Sequence, residues 1–193
     1  MKPLQIEPDV LNRCAEYCEQ LTENPPIPRP DHPVTDPINT GRFIIGTEYT
    51  PLAESIQTLC DSIREQIPHL VPIPNPHPYP HSFSTLWHTD RITSAVHRHI
   101  DPAGPLGQRH LRILFMLQRA SHGGEPCVYN KIIQAKPGEC WAIWADKQIH
   151  WSTPVTKPGV RSILTMGYWC EPDQAQSVLS ALKPRVHHTT PGL

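Results

Sequence analysis

The sequence predicts a mainly β chain in which short strands form a sandwich or barrel, with helices at both ends. From about 82 to 170, short runs of β-type residues alternate with turn signals such as Asp101-Pro102-Ala103-Gly104 and Ser121-His122-Gly123-Gly124. Gly and Pro clusters of this kind interrupt strands and mark turns. Many short strands separated in this way are typical of a jelly roll, the cupin-like barrel of eight strands.

Six short β-type runs are predicted to be strands, and turn signals separate them. The predicted strands are Ser82–His88, Ala95–Ile100, His110–Gln118, Cys127–Asn130, Cys140–Ala145 and Arg161–Trp169.

Helical spacing is confined to the two ends of the chain. Residues 8–22, 51–67 and 172–182 place apolar side chains three or four positions apart, which builds one apolar face on a helix. We therefore expect one domain over 1–193, with a helical and proline-rich part at 1–80, a β-barrel core at 82–170, and a C-terminal helix and tail at 171–193.

The prolines and cysteines refine this picture. Many of the 24 prolines fall at 25–37 and 68–80, and we interpret these stretches as ordered connecting loops within the domain. The six cysteines form no CxxC pair, and three of them lie in apolar, strand-like segments where a thiol behaves as a small hydrophobic group. The pattern does not favour a disulfide framework.

Charge and hydropathy restrict the partners. The net charge is −1 and the pI is about 6.9, so the sequence indicates neither a nucleic-acid partner nor a membrane surface. Apolar runs such as Ile113–Leu117 are too short to span a bilayer, and no apolar signal segment follows Met1. We expect a cytoplasmic protein that is a monomer or a homodimer.

The most informative residues are two histidines and a carboxylate with metal-ligand character. His99 and Asp101 are two positions apart, so on a strand both side chains point to the same side, and His150 follows at the end of a later turn. Two histidines and one carboxylate can occupy one face of a metal ion and leave the other open, which is the facial triad of non-haem Fe(II) oxygenases. Arg161 adds a planar fork suited to a carboxylate.

One alternative remains open at this stage. The HxD pattern occurs twice, so His88 and Asp90 compete with the favoured pair, His99 and Asp101, and His97 shares the predicted strand face of His99.

The stretch from about 95 to 170 resembles the double-stranded β-helix of 2-oxoglutarate- and Fe(II)-dependent dioxygenases. The HxD, Gly123-Gly124-Glu125, Pro137-Gly138-Glu139, the distal histidine and the arginine all come in the order of that superfamily. Two fragments, His110–Leu114 and Pro137–Ile143, are faintly similar to the aspartyl/asparaginyl and free-proline hydroxylase branch. The first 80 residues carry no such resemblance.

The resemblance implies that His99, Asp101 and His150 bind Fe(II) and that 2-oxoglutarate and O2 are cosubstrates, with ascorbate as a reductant in vitro. Arg161 would bind the far carboxylate of 2-oxoglutarate. Members of the superfamily often have a hydroxyl residue two positions after this arginine, but here that residue is Ile163. Ser162 and Thr165 are nearby, and Thr165 is a candidate second contact. Arg112 is either a surface residue or a carboxylate clamp inside the barrel, for the cosubstrate or for an amino-acid substrate.

The activity implied is hydroxylation, desaturation or cyclisation of a small molecule such as an amino acid or a natural-product intermediate, with release of succinate and CO2. The carboxylate of Asp101 argues against halogenation, because halogenases of this type lack it. Two alternatives stay open: a peptidyl or protein hydroxylase, and a non-catalytic cupin-like binding protein.

Overall fold

A computed structural model of the chain describes residues 4–23, 43–45, 51–74, 83–89, 98–157 and 159–188. The helices are α1 (Pro8–Glu23), α2 (Glu54–Gln66) and α3 (Pro172–Ala181). The strands are β1 (Phe43–Ile45), β2 (Val71–Pro72), β3 (Ser84–Thr89), β4 (Arg109–Gln118), β5 (Pro126–Val128), β6 (Lys131–Ile133), β7 (Cys140–Trp144), β8 (His150–Ser152), β9 (Arg161–Cys170) and β10 (Val186–His188).

The strands form two antiparallel sheets. The larger sheet has the order β1-β3-β9-β4-β7, with β2 pairing to β9, and the smaller sheet has the order β10-β6-β5-β8. Strands β4 and β9 pair along nearly their whole lengths, from Arg109 opposite Cys170 to Gln118 opposite Ser162. This long pairing gives the larger sheet its centre.

Strict alternation along β4 and β9 gives the larger sheet two different faces. On the outer face, Leu111, Phe115 and Leu164 pack with buried side chains of α1, α2 and α3. On the inner face, Leu114 and Ile163 pack with Val128 of the smaller sheet. Because successive side chains of a strand point to opposite sides, each strand contributes to both cores.

Most of the predicted elements are present. All three helices are observed within a few residues of the predicted bounds, and the predicted strands other than Ala95–Ile100 appear as β3, β4, β5, β7 and β9. Residues 95–97 of that remaining strand lie outside the described residues, and its end forms an isolated bridge at His99. The short strands β1, β2, β6, β8 and β10 were missed, because two or three residues carry too little periodicity to be recognised.

Two further expectations concern the cysteines and the membrane. All six cysteines are free thiols, and five of them are buried. Within the part of the chain that the structure describes, none of the helices combines the length and the apolar character that crossing a bilayer requires.

Candidate active site

Three metal-ligating side chains meet at one end of the space between the two sheets. His99 and His150 are opposite each other in an antiparallel bridge. The backbone N–H of His99 donates to the carbonyl of His150 at 3.2 Å, and the backbone N–H of His150 donates to the carbonyl of His99 at 3.0 Å. The backbone N–H of Asp101 donates to the carbonyl of Ala145 at 2.8 Å. The two segments that carry the ligands are therefore joined by main-chain hydrogen bonds, which fix the positions of the side chains.

The ligand atoms of His99, Asp101 and His150 all lie within 4.8 Å of one another. Nε2 of His99 is 3.5 Å from Oδ1 of Asp101, and Nε2 of His150 is 3.7 Å from Oδ2. Asp101 and His150 are buried, whereas the side chain of His99 is about one-third exposed. Two imidazole nitrogens and one carboxylate oxygen suit a divalent transition metal and leave coordination positions open.

The tautomer of His150 follows from its second ring nitrogen. Nδ1 lies 2.9 Å from the carbonyl oxygen of Gln148, and because a carbonyl only accepts, Nδ1 must carry the proton and donate. The lone pair of the neutral ring is then on Nε2, the atom that faces Asp101. A histidine oriented in this way by a backbone carbonyl is typical of metal ligands.

Arg112 lies on the inner face of β4 and pairs with the same carboxylate. Its Nη2 is 2.7 Å from Oδ2 of Asp101, and the residue is buried. This geometry decides between the two predicted orientations of Arg112 in favour of the interior. Burial raises the pKa of the Asp101 carboxyl, but the charges of Arg112 and of the neighbouring histidines outweigh burial and hold that pKa below its ordinary value.

A third imidazole, that of His110, borders the cluster and was not predicted as a site residue. Its Nδ1 is 3.7 Å from Oδ2 of Asp101, and its ring meets Trp169 edge to face at 5.2 Å between centroids. The spacing from Arg112 was the available signal, because residues two apart on β4 share a face.

The predicted cosubstrate arginine is buried at the start of β9. Nη2 of Arg161 donates to Oγ of Ser152, two positions after His150, at 2.8 Å. Gly124 lies against the same side chain: a Cβ at Gly124 would be 2.8 Å from Cδ of Arg161. Ser152 and Gly124 thus hold the arginine next to β8, the strand that begins with His150. The sequence pointed to Gly124 only as part of a turn and did not single out Ser152.

Thr165 is on the inner face of β9, between Arg161 and Gly167, the residue opposite Arg112. The residue is buried, and its hydroxyl donates to the carbonyl of Thr85 at 3.2 Å. Opposite it on β4 is Leu114, which belongs to the core between the sheets.

The competing histidine faces the other way. His88 is opposite Ser162 in the pairing of β3 with β9, and its Nδ1 is 2.8 Å from the Ser162 hydroxyl. Ser162 alternates with Arg161 along β9, so His88 is on the face of the sheet opposite to that of Arg161. Asp90 and His97, the other residues of the alternative assignment, lie outside the described residues.

A surface pocket adjoins the cluster on the outer side of β8. It has a volume of about 540 Å³ and is lined by Arg98, His99, Ile100, Tyr129, Asn130, Ile149 and Trp151. The guanidinium of Arg98 stacks over the Trp151 ring at 4.4 Å. Ile100, Tyr129 and Ile149 are all at least 40% exposed, which gives the pocket an apolar rim.

Comparison with known proteins places the fold. No protein-family model matches the sequence, and no curated protein matches it. Among solved structures, a prolyl hydroxylase from Trichoplax adhaerens, in complex with a hypoxia inducible factor oxygen degradation domain peptide fragment, has a TM-score of 0.56 at 16% identity. The match covers 92% of this chain and 85% of that one.

Two other hydroxylases give similar matches. A prolyl-4-hydroxylase from Pseudomonas putida has a TM-score of 0.53 at 14% identity, covering 88% of this chain and 90% of that one. A viral collagen prolyl hydroxylase from Paramecium Bursaria Chlorella virus-1 has a TM-score of 0.51 at 14% identity, covering 89% and 88%. This chain therefore shares the mainly β, antiparallel fold of prolyl hydroxylases, which are members of the Fe(II)/2-oxoglutarate dioxygenase superfamily.

Proposed function

We propose that the chain is an Fe(II)- and 2-oxoglutarate-dependent dioxygenase that hydroxylates, desaturates or cyclises a small molecule. The observation that carries this proposal is the cluster of His99, Asp101 and His150, with a buried arginine, Arg161, held next to the strand of the second histidine. The fold shared with prolyl hydroxylases supports the same reaction class. In this interpretation the two sheets form a double-stranded β-helix over 82–170, within one domain of 193 residues.

The donor set fits Fe(II). Two neutral imidazoles and one carboxylate leave three coordination positions of an octahedral ion for the cosubstrate and O2. Asp101 enters this role already ionised, because its pKa lies below the ordinary value for aspartate. When bound, iron with 2-oxoglutarate and O2 supplies the oxidation: the cosubstrate is split to succinate and CO2, and one oxygen atom remains for the substrate.

Arg161 would bind the far carboxylate of 2-oxoglutarate. Its guanidinium offers two parallel N–H donors, the geometry that a carboxylate accepts, and Ser152 and Gly124 hold it in position. The hydroxyl of Thr165, on the same inner face of β9, would act in place of the hydroxyl that many relatives carry two positions after the arginine, and it would exchange its hydrogen bond to the Thr85 carbonyl for one to the carboxylate. Burial of Arg161 and Thr165 limits competition from water, which strengthens both interactions.

The experiment that tests the proposal is succinate release by anaerobically purified protein given Fe(II), ascorbate, 2-oxoglutarate and air. We expect succinate from the wild type and a loss of ten-fold or more in Arg161→Ala, since a charge-assisted contact contributes ~1.5–3 kcal/mol. Arg119→Ala is the matched control, because that side chain is 44% exposed and lies 4.0 Å from Glu125. If wild type neither forms succinate nor binds 2-oxoglutarate in the presence of Fe(II), the binding-protein alternative replaces this proposal.

A peptide substrate is the second candidate. It is favoured by the pocket beside His99, whose exposed apolar rim would receive side chains of an extended chain, and by the peptide complex of the Trichoplax hydroxylase. A screen of capped proline-containing peptides against free amino acids, read as stimulation of succinate release, separates the two. Stimulation by capped peptides alone would establish the second candidate.

A further inference from the structure

Arg112 is a buried cation at the metal end of the barrel, which is unusual for an inner-face position of a strand. It is about 5% exposed, and among the described residues the carboxylate within 4 Å of its guanidinium is that of Asp101. A buried charge needs a nearby counter-charge, because the transfer of an ion out of water is costly. Asp101 is that counter-charge.

Metal binding would change the balance of charge between Arg112 and Asp101. A divalent ion bound to His99, Asp101 and His150 takes the negative charge of Asp101, so two cationic groups share one carboxylate. The chelating carboxylate of 2-oxoglutarate neutralises the remaining charge of the ion, and its far carboxylate is matched by Arg161. The positive charge of Arg112, buried beside Asp101, would then lack a full counter-charge.

On β9, the residue opposite Arg112 has no side chain. That residue is Gly167, and on the other side Arg112 is opposite Ile143 of β7. Arg161 is six residues before Gly167 on the same strand, at the other end of the inner face. Arg112 thus lies beside Asp101, whereas the far carboxylate of the cosubstrate would be at the Arg161 end.

We propose that Arg112 binds a carboxylate of the primary substrate, which is therefore a small carboxylic or amino acid whose acid group lies close to the oxidised carbon. This inference rests on the proposed function and specifies its substrate class. It assigns Arg112 to the substrate, not to the cosubstrate. Oδ2 of Asp101 is 2.7 Å from Nη2 of Arg112 and 3.7 Å from Nε2 of His150, whereas Oδ1 is 3.5 Å from Nε2 of His99.

The test is equilibrium binding to protein loaded with Mn(II) and 2-oxoglutarate, measured by titration calorimetry so that no turnover occurs. The probes are propionate, butyrate and the common L-amino acids, each compared with its carboxamide. We expect at least one acid to bind the wild type ten-fold or more tightly than its amide. Arg112→Gln should reduce this ratio to about one, Arg112→Lys should retain part of it, and Arg119→Gln should leave it unchanged.

Three outcomes would overturn the inference. They are equal binding of acid and amide by the wild type, an unchanged ratio in Arg112→Gln, or binding of none of the acids by protein that binds 2-oxoglutarate. Affinity for Mn(II) and for 2-oxoglutarate is measured in every variant, so that a damaged metal site is recognised. Failure of the wild type to bind metal and 2-oxoglutarate would instead remove the proposed function on which the inference rests.

Discussion

Gly124 belongs to a turn and lies against the candidate cosubstrate arginine, Arg161, where the absence of a side chain makes room for the guanidinium-bearing chain. Its φ of +73° lies in the left-handed region that favours glycine. A Cβ there would also approach Cδ of Arg161 to 2.8 Å and Cγ2 of Val155 to 3.0 Å. The residue is therefore constrained twice, once by backbone conformation and once by the arginine packed against it.

We expect Gly124→Ala to raise the KM for 2-oxoglutarate at least ten-fold, because the new methyl group would displace the Arg161 side chain. Gly107→Ala is the matched control: its φ is +82°, but a methyl group added there would have no neighbour within 4 Å. Both variants bear a backbone cost of ~1–2 kcal/mol, so their thermal stabilities compare directly. A KM that rises equally in both would show that the effect is general destabilisation, not displacement of Arg161.

Residue by residue, the sequence predicted the types of the site residues better than their contacts. The metal-ligand character of His99, Asp101 and His150 is readable from side-chain chemistry and from the two-residue spacing of HxD. The close approach of Gly124 to Arg161 is not readable, because the two residues are far apart along the chain and meet only where strands pack. The direction of Arg112 was open for the same reason.

At the scale of elements, α1 and α2 cover the outer face of the larger sheet with a group of buried thiols. Cys14 and Cys18 of α1 and Cys60 of α2 all have fully buried side chains. Burial raises the pKa of Cys60 and of Cys18 to about 12, and that of Cys14 to about 11. These thiols are neutral in the folded protein well above the pH at which they ionise in an unfolded chain.

The sign of the resulting pH dependence follows from linkage. The folded pKa is above the unfolded value of 9.0, so stability is constant below about pH 9 and falls as pH rises from there towards the folded value. Each buried thiol should lower the free energy of unfolding by ~1.4 kcal/mol between about pH 8 and pH 10. Between about pH 8 and pH 10, the free energy of unfolding, measured with urea, should decrease less in Cys60→Ala than in Ile63→Val, a control variant on the same helix. Equal decreases in the two variants would contradict the assignment.

For the whole molecule, the candidate metal site joins distant parts of the chain. His99 and Asp101 precede β4, whereas His150 opens β8 in the other sheet. A metal ion held by all three would connect two segments that are far apart in the sequence, and it would bind the folded state in preference to the unfolded one. Such binding stabilises by mass action, by ~2.7 kcal/mol at about a hundred-fold excess over Kd.

We therefore expect Ni(II) or Zn(II) to raise the Tm by ~5–10 °C at that excess, and Asp101→Ala to abolish the rise. His69→Ala, which changes an exposed histidine outside the cluster, should retain it. Differential scanning calorimetry with and without a chelator measures the shift. If the metal raised the Tm of Asp101→Ala as well, the metal would be binding elsewhere on the chain.

The sequence by itself determined the features that depend on local spacing: the helices at both ends, the long strands β4 and β9, and the order of the candidate metal ligands followed by an arginine. Only the tertiary structure decided which residues meet: His88 packs on the outer face against Ser162, Arg112 points to Asp101, and Gly124 supports Arg161. The reason is physical. Alternation along a strand is a property of consecutive residues, whereas the facing of two sheets and the register of their strands depend on residues far apart in the sequence.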